Sequence, residues 1–209
     1  MGSVLPLFDI PGVWRGHQRT TTFPTQRTGH RLLDHALLGG WPTGALVQIG
    51  GSQEGLGFSL IVDTLAQTTQ AGRVAALVQT PLQPYAPALC SAGIALQRLL
   101  WVQPEDEGAA LWAMEQMARS GLVAVIAYWG AALDSTAERR LQLAADSGQC
   151  LMFCFEASHR RDHSFAAVKL NVATGSEGTL EIDICKCRGK HGGQRLRLAT
   201  PATVEAHAA

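Results

Sequence analysis

Between the apolar run 45–50 (ALVQIG) and the amphipathic run 58–70 (FSLIVDTLAQTTQ) stands a glycine-rich turn, GGSQEGLGFS. A strand handing over to a helix through such a turn marks a phosphate-binding α/β domain, because glycines let backbone N–H groups close around an anion. A working loop reads G-x-x-x-x-G-K-[ST], with Lys neutralising the phosphate and the hydroxyl holding magnesium. Gly50 and Gly55 keep that spacing, but Leu56 stands at the Lys position and Gly57 at the hydroxyl position. The lysines of the chain are Lys169, Lys186 and Lys190, all far from the loop, and Glu54 would repel phosphate. Residues Gly50, Gly51, Ser52, Gln53, Glu54, Gly55, Leu56, Gly57 and Phe58 therefore read as a degenerate phosphate loop. It caps a helix; weak nucleotide binding through backbone amides is the alternative. No cofactor is expected.

The rest of the chain alternates in the same rhythm. Apolar strands are expected at 74–78, 99–102, 122–128 and 150–155, with helices near 30–38, at 85–92, at 107–120 and from 134 to 147. Leu32, Leu33, Ala36 and Leu37 would form the inner face of the first of these helices. Ser135 and Glu138 are spaced for a capping box at the start of the last. Strand–helix alternation at this spacing implies right-handed crossovers and a mainly parallel sheet flanked by helices. From 165 the rhythm changes, and 167–174 with 179–186 predicts an antiparallel hairpin at the C-terminal sheet edge. The organisation expected is an arm (1–24), an α/β domain (25–198) and a flexible tail (199–209).

Seventeen basic and seventeen acidic residues cancel, which excludes a whole-protein electrostatic drive toward nucleic acid or membrane but not a local patch. No apolar run is long enough to span a bilayer, and the start lacks a basic, apolar leader, so a cytoplasmic protein is expected. Five cysteines, Cys90, Cys150, Cys154, Cys185 and Cys187, lie in apolar surroundings and read as reduced core thiols. A zinc site is disfavoured because neither close pair has C-x-x-C spacing. His159, Asp162 and His163 form a polar loop cluster, read as solvated. The segment 185–198 holds Lys186, Arg188, Lys190, Arg195 and Arg197 with no acidic residue, a candidate for weak DNA or partner contact. Trp14 and Arg15 in the arm, and Trp112 on helix 107–120, suit partner binding, since Trp and Arg dominate interface energetics.

The central strand 122–128 ends in Tyr128-Trp129-Gly130, where a strand that orients magnesium would end in Asp. Aromatic residues there suit packing or a partner surface. The blocks TG (28–29), LD (33–34), LGGWPTG (38–44), VQIGG (47–51), LWVQP (100–104) and ARSG (118–121) resemble the RecA recombinases. On that pattern the family's loop Lys falls on Gly57, its Thr on Phe58, its catalytic Glu near Thr80 and its metal-orienting Asp near Tyr128. All four departures imply a chain that does not hydrolyse ATP. WRG (14–16), GWPTGAL (40–46), PYAPAL (84–89), ALWAMEQ (110–116), RRLQLA (139–144) and KCRG (186–189) resemble more specifically the ImuA family of RecA-like accessory proteins. That resemblance implies a non-enzymatic role in SOS-induced, error-prone translesion synthesis. It implies as partners an ImuB-like polymerase-related protein, RecA and, indirectly, an error-prone replicative-type polymerase. The cell-division inhibitor SulA, which blocks FtsZ, resembles the same core and supplies the alternative.

Overall fold

Strand β3 (Ala45–Gly51) carries no charged residue and is buried along nearly its whole length, so it must be covered on both faces. The computed structural model describes residues 23–51, 56–157, 164–190 and 192–199. In chain order these form β1 (Thr25–Gln26), α1 (Arg31–Ala36), β2 (Trp41–Pro42), β3, α2 (Ser59–Gln70), β4 (Val74–Val78), α3 (Ala86–Ser91) and β5 (Leu99–Val102). There follow α4 (Glu107–Arg119), β6 (Val123–Trp129), α5 (Ser135–Gly148), β7 (Leu151–Glu156), β8 (Val168–Thr174), β9 (Thr179–Cys187) and β10 (Gln194–Ala199). β1 and β2 make a small antiparallel ribbon, and the other eight strands form one sheet in the order β10-β9-β8-β3-β7-β6-β4-β5. Neighbours from β8 to β5 are parallel; β8–β9 and β9–β10 are antiparallel. None of the described helices is long and apolar enough to cross a membrane.

The period-two alternation of each strand divides the core. Val47 and Ile49 face one layer, with Leu33, Trp41, Leu60, Ile61, Leu65 and Phe153. Leu46 faces the other, with Met114, Ala118, Ile126, Leu141 and Met152. Trp41 meets Phe153 edge-on at 5.1 Å between ring centroids, pinning the β2 turn beneath the sheet. On the second layer α4 and α5 approach so closely that a Cβ at Gly148 would lie 1.7 Å from the Ala118 carbonyl oxygen.

That α4–α5 pair also carries a charged clamp. Glu115, almost buried, accepts from Arg119 one turn on (2.9 Å) and from Arg140 of α5. Burial alone would raise its carboxyl, but the Arg140 and then the Arg119 guanidinium outweigh it and hold it below the usual carboxylate value. A depressed carboxylate adds stability that is present at neutral pH and lost as pH falls through its folded value. Glu115→Gln is therefore expected to cost about 1 kcal/mol at pH 7 and almost nothing in acid well below the ordinary Glu value of about 4, where the lowered carboxylate is also protonated. Urea unfolding of both proteins at the two pH values checks this.

Several sequence expectations are corrected. Leu32 is 59% exposed, whereas Leu33, Ala36 and Leu37 are buried, because the short α1 turns only three of the four inward. Asp134, not Ser135, caps α5, its Oδ1 accepting from the Ala137 amide at 2.7 Å, and Glu138 is drawn into the core. Cys150, Cys154 and Cys187 are buried free thiols, but Cys90 and Cys185 are exposed. The C-terminal hairpin forms, yet its first strand pairs parallel with β3, and the sheet ends instead on β10, an unanticipated strand. The tail lies outside the described residues, Ala199 excepted, as does the arm up to residue 22.

Candidate functional site

Ligands of parallel α/β sheets bind beyond the carboxyl ends of the strands. Here an apolar row lies across the ends of β3, β6 and β7. Register places Ile49 of β3 beside Phe155 of β7, and Phe155 beside Trp129 of β6. The Trp129 and Phe155 rings stack at 4.6 Å with an interplanar angle of 6°, and Phe58, from the turn into α2, tilts onto Trp129 at 5.7 Å. Leu56 packs against the same core. Behind the row Tyr128 is buried in the opposite layer, its hydroxyl pushed up to about 12 by burial. The ring runs so close beneath Gly130 that an added Cβ would sit 2.0 Å from the hydroxyl oxygen. Aromatic packing at Tyr128-Trp129 thus matches the sequence reading.

Of the degenerate loop, Ser52, Gln53, Glu54 and Gly55 lie outside the described residues; Gly50, Gly51, Leu56, Gly57 and Phe58 are placed. Gly57 has φ +89°, a region side chains avoid, and a Cβ there would meet Ile49 Cγ2 at 2.8 Å. Thr80, where the family resemblance puts the catalytic Glu, instead receives hydrogen bonds from Trp101 Nε1 (2.9 Å) and Gln103 Nε2 (3.3 Å) at the β5 edge. That edge is the bare side of the sheet: Leu100 and Trp101 are each nearly half exposed, and Leu82 and Tyr85 project from the connection after β4. Trp112 is 63% exposed on α4. Trp14 and Arg15 lie outside the described residues, as do His159, Asp162 and His163. Among the described residues no three His, Cys, Asp or Glu side chains gather as metal ligands.

Sequence reasoning missed a buried polar cluster on the α5 side of β3. Gln48 donates to Glu138 (2.7 Å) and to Glu156 (3.1 Å), while its oxygen accepts from Ser164 Oγ (2.8 Å). Glu138 also accepts from the Phe165 amide at 3.0 Å, and Lys186 donates to the Ser164 carbonyl at 2.6 Å. Lys169, only 6% exposed, lies opposite Lys186 across β8 and β9. The one available signal was Gln48, a lone amide in an apolar strand, since a buried amide needs partners.

The same cluster dismantles the expected basic segment. The pairing of β8 and β9 slips between Lys169 and Leu170, leaving Cys185 as an extra residue. Such a bulge reverses the alternation, so Cys187 re-enters the apolar layer and Lys186 turns to the Glu138 side. Burial lowers the Lys186 ammonium below its usual value, although Glu138 opposes the shift. Arg197 pairs with Glu181 at 2.7 Å and Arg195 with Asp183 at 3.8 Å, on the outer face of the antiparallel strands. Among the described residues Lys186, Arg188 and Lys190 are in no ion pair; Lys190, which donates to Gln194 Oε1, lines a cleft beside α1, and Arg188 lies over the Phe23 ring.

Comparison with known proteins agrees with this architecture. The RecA N-terminal domain family matches residues 12–192. The RecA protein of Synechocystis sp. is 34% identical over 173 residues, covering 80% of this chain and 46% of that protein. RecA of Thermus thermophilus is 37% identical over 129 residues, covering 60% of this chain and 35% of that protein. The chain thus spans less than half the length of these relatives. Among solved structures, the RadB recombinase superposes with a TM-score of 0.64 over 81% of this chain and 93% of its own, at 15% identity, a likeness of fold. With its parallel core, its glycine turn and a family match across most of its length, the chain belongs to the RecA family through that family's N-terminal domain.

Proposed function

We propose that this chain is a non-hydrolysing member of the family, an accessory protein of error-prone translesion synthesis of the ImuA kind that acts by binding ImuB, RecA or both. The observation that carries the reading is the aromatic row. Phe58, Trp129 and Phe155 occupy the strand ends, and glycine at positive φ stands where a phosphate-binding Lys would be required. A protein that keeps a recombinase scaffold and replaces its phosphate chemistry with packing retains the scaffold's surfaces. The β5 edge, with Leu100 and Trp101 exposed and unpaired main-chain groups along the strand, is the surface best suited to a partner. The ImuA-like blocks, among them WRG (14–16), PYAPAL (84–89) and RRLQLA (139–144), support the translesion context.

Light scattering of mixtures with purified RecA or ImuB tests this, together with RecA's ATP turnover on single-stranded DNA. A complex with at least one partner is expected, weakened about tenfold or more by Trp101→Glu, as loss of a central aromatic anchor would do. ATP hydrolysis by the chain itself, or binding to FtsZ in place of both partners, overturns the proposal.

A further inference from the structure

Lys190 of the basic segment joins two arginines that are distant from it in sequence. Arg27, following β1, and Arg31 and His35 of α1 line one wall of a cleft of about 550 Å³; Lys190 and Gln194 line the other. Arg188, two residues before Lys190, has its guanidinium 5.4 Å from the Phe23 ring centroid. Arg27, Arg31, His35 and Arg188 are exposed, and among the described residues none of Arg27, Arg31, Arg188 and Lys190 is in an ion pair. The single carboxylate in the lining is Asp34, and it is committed to the fold, its Oδ1 accepting from the Thr28 amide at 2.7 Å. A neutral chain has therefore concentrated unpaired positive charge in one concave place.

We propose that this cleft between α1 and the β9–β10 turn is the docking site for an acidic segment of a partner protein. Arginine forks recognise carboxylates through paired N–H groups, and Arg27 and Arg31 bring two of them to one wall. The lining also offers Leu38 and the exposed Leu32 lies on the same helix, so apolar side chains between acidic ones find contacts. A nucleic-acid backbone fits less well. It needs a track of cations with stacking surfaces, but the neighbouring Arg195 and Arg197 are neutralised by Asp183 and Glu181. The nearby aromatic ring, Phe23, is already covered by Arg188. The inference stands apart from the question of ATP hydrolysis, since a hydrolysing chain would keep the cleft.

The test is fluorescence anisotropy of the full chain with a fluorescein-labelled short peptide of alternating acidic residues and leucine, beside labelled oligo-dT. Saturable peptide binding that weakens with salt is expected. The double variant Arg27→Glu/Arg31→Glu should weaken it by about tenfold or more, whereas Arg98→Glu, an exposed charge beside the opposite sheet edge, should leave it within about twofold. Circular dichroism melts establish that both variants fold; if the double variant does not, Lys190→Glu serves in its place. Absence of peptide binding, tighter binding of oligo-dT, or binding unchanged by the charge reversals overturns the proposal.

Discussion

Writing the phosphate-loop residues back, as Gly57→Lys with Phe58→Thr, is expected to destabilise the protein by about 4 kcal/mol and leave ATP hydrolysis at background. At φ +89° a lysine backbone is strained, and its Cβ would press on Ile49 Cγ2 from 2.8 Å. Threonine at 58 removes the ring that tilts onto Trp129, exposing the Trp129–Phe155 stack to water. Nor would the new groups find partners, since Tyr128 and Thr80 stand where a metal-orienting Asp and a catalytic Glu would be needed. Chemical denaturation and a coupled ATPase assay read both halves of the expectation. A stable double variant that turns over ATP would mean that the aromatic row yields readily and would overturn the proposal that this scaffold cannot hydrolyse ATP.

The parallel core was legible because its strands are uninterrupted apolar runs: 74–78 and 99–102 carry no charge and begin and end where the sequence places them. Burial on both faces leaves no other use for the first of these runs, whereas the second forms the sheet edge with Leu100 and Trp101 half exposed. Legibility failed where chemistry and period competed. QRLRLA alternates as an edge strand should, but its arginines equally suit a basic patch; the structure uses the alternation to make β10 and pairs the charges across it. Lys186 was unreadable for a different reason. One slipped residue at Cys185 decides which face it meets, and no local propensity announces a bulge. The aromatic row was half visible, since Trp129 marks the end of a strand, but its neighbours Phe58 and Phe155 come from separate elements that only the sheet order brings together. The cleft cations are more extreme still: Arg27 and Arg31 precede the first long strand, and Lys190 follows the ninth.

Glu138→Ala is expected to cost about 3 kcal/mol at pH 7, more than its place on a nominally amphipathic helix would suggest. Its side chain is 2% exposed and bonds on both oxygens, to Gln48 of the central strand and to the Phe165 amide. Truncation strands the Phe165 amide, takes one acceptor from Gln48 and removes the negative charge that offsets burial of Lys186. Leaving buried groups without partners is costlier than the net value of the bonds themselves. The pH dependence identifies which group pays. A lysine held below its ordinary value binds fewer protons folded than unfolded, so stability rises with pH toward its unfolded value. Without Glu138 that depression deepens, and the deficit of the variant should shrink as pH rises from about 7 to about 10, toward the ordinary lysine value. Glu138→Gln, which keeps one acceptor but turns an NH2 toward the second donor, should recover only part of the hydrogen-bonding loss while retaining the pH slope. Guanidinium titrations of the three proteins at both pH values separate the two contributions. Equal slopes in all three would place Lys186 outside the field of Glu138 and assign the whole loss to the hydrogen bonds with Gln48 and Phe165.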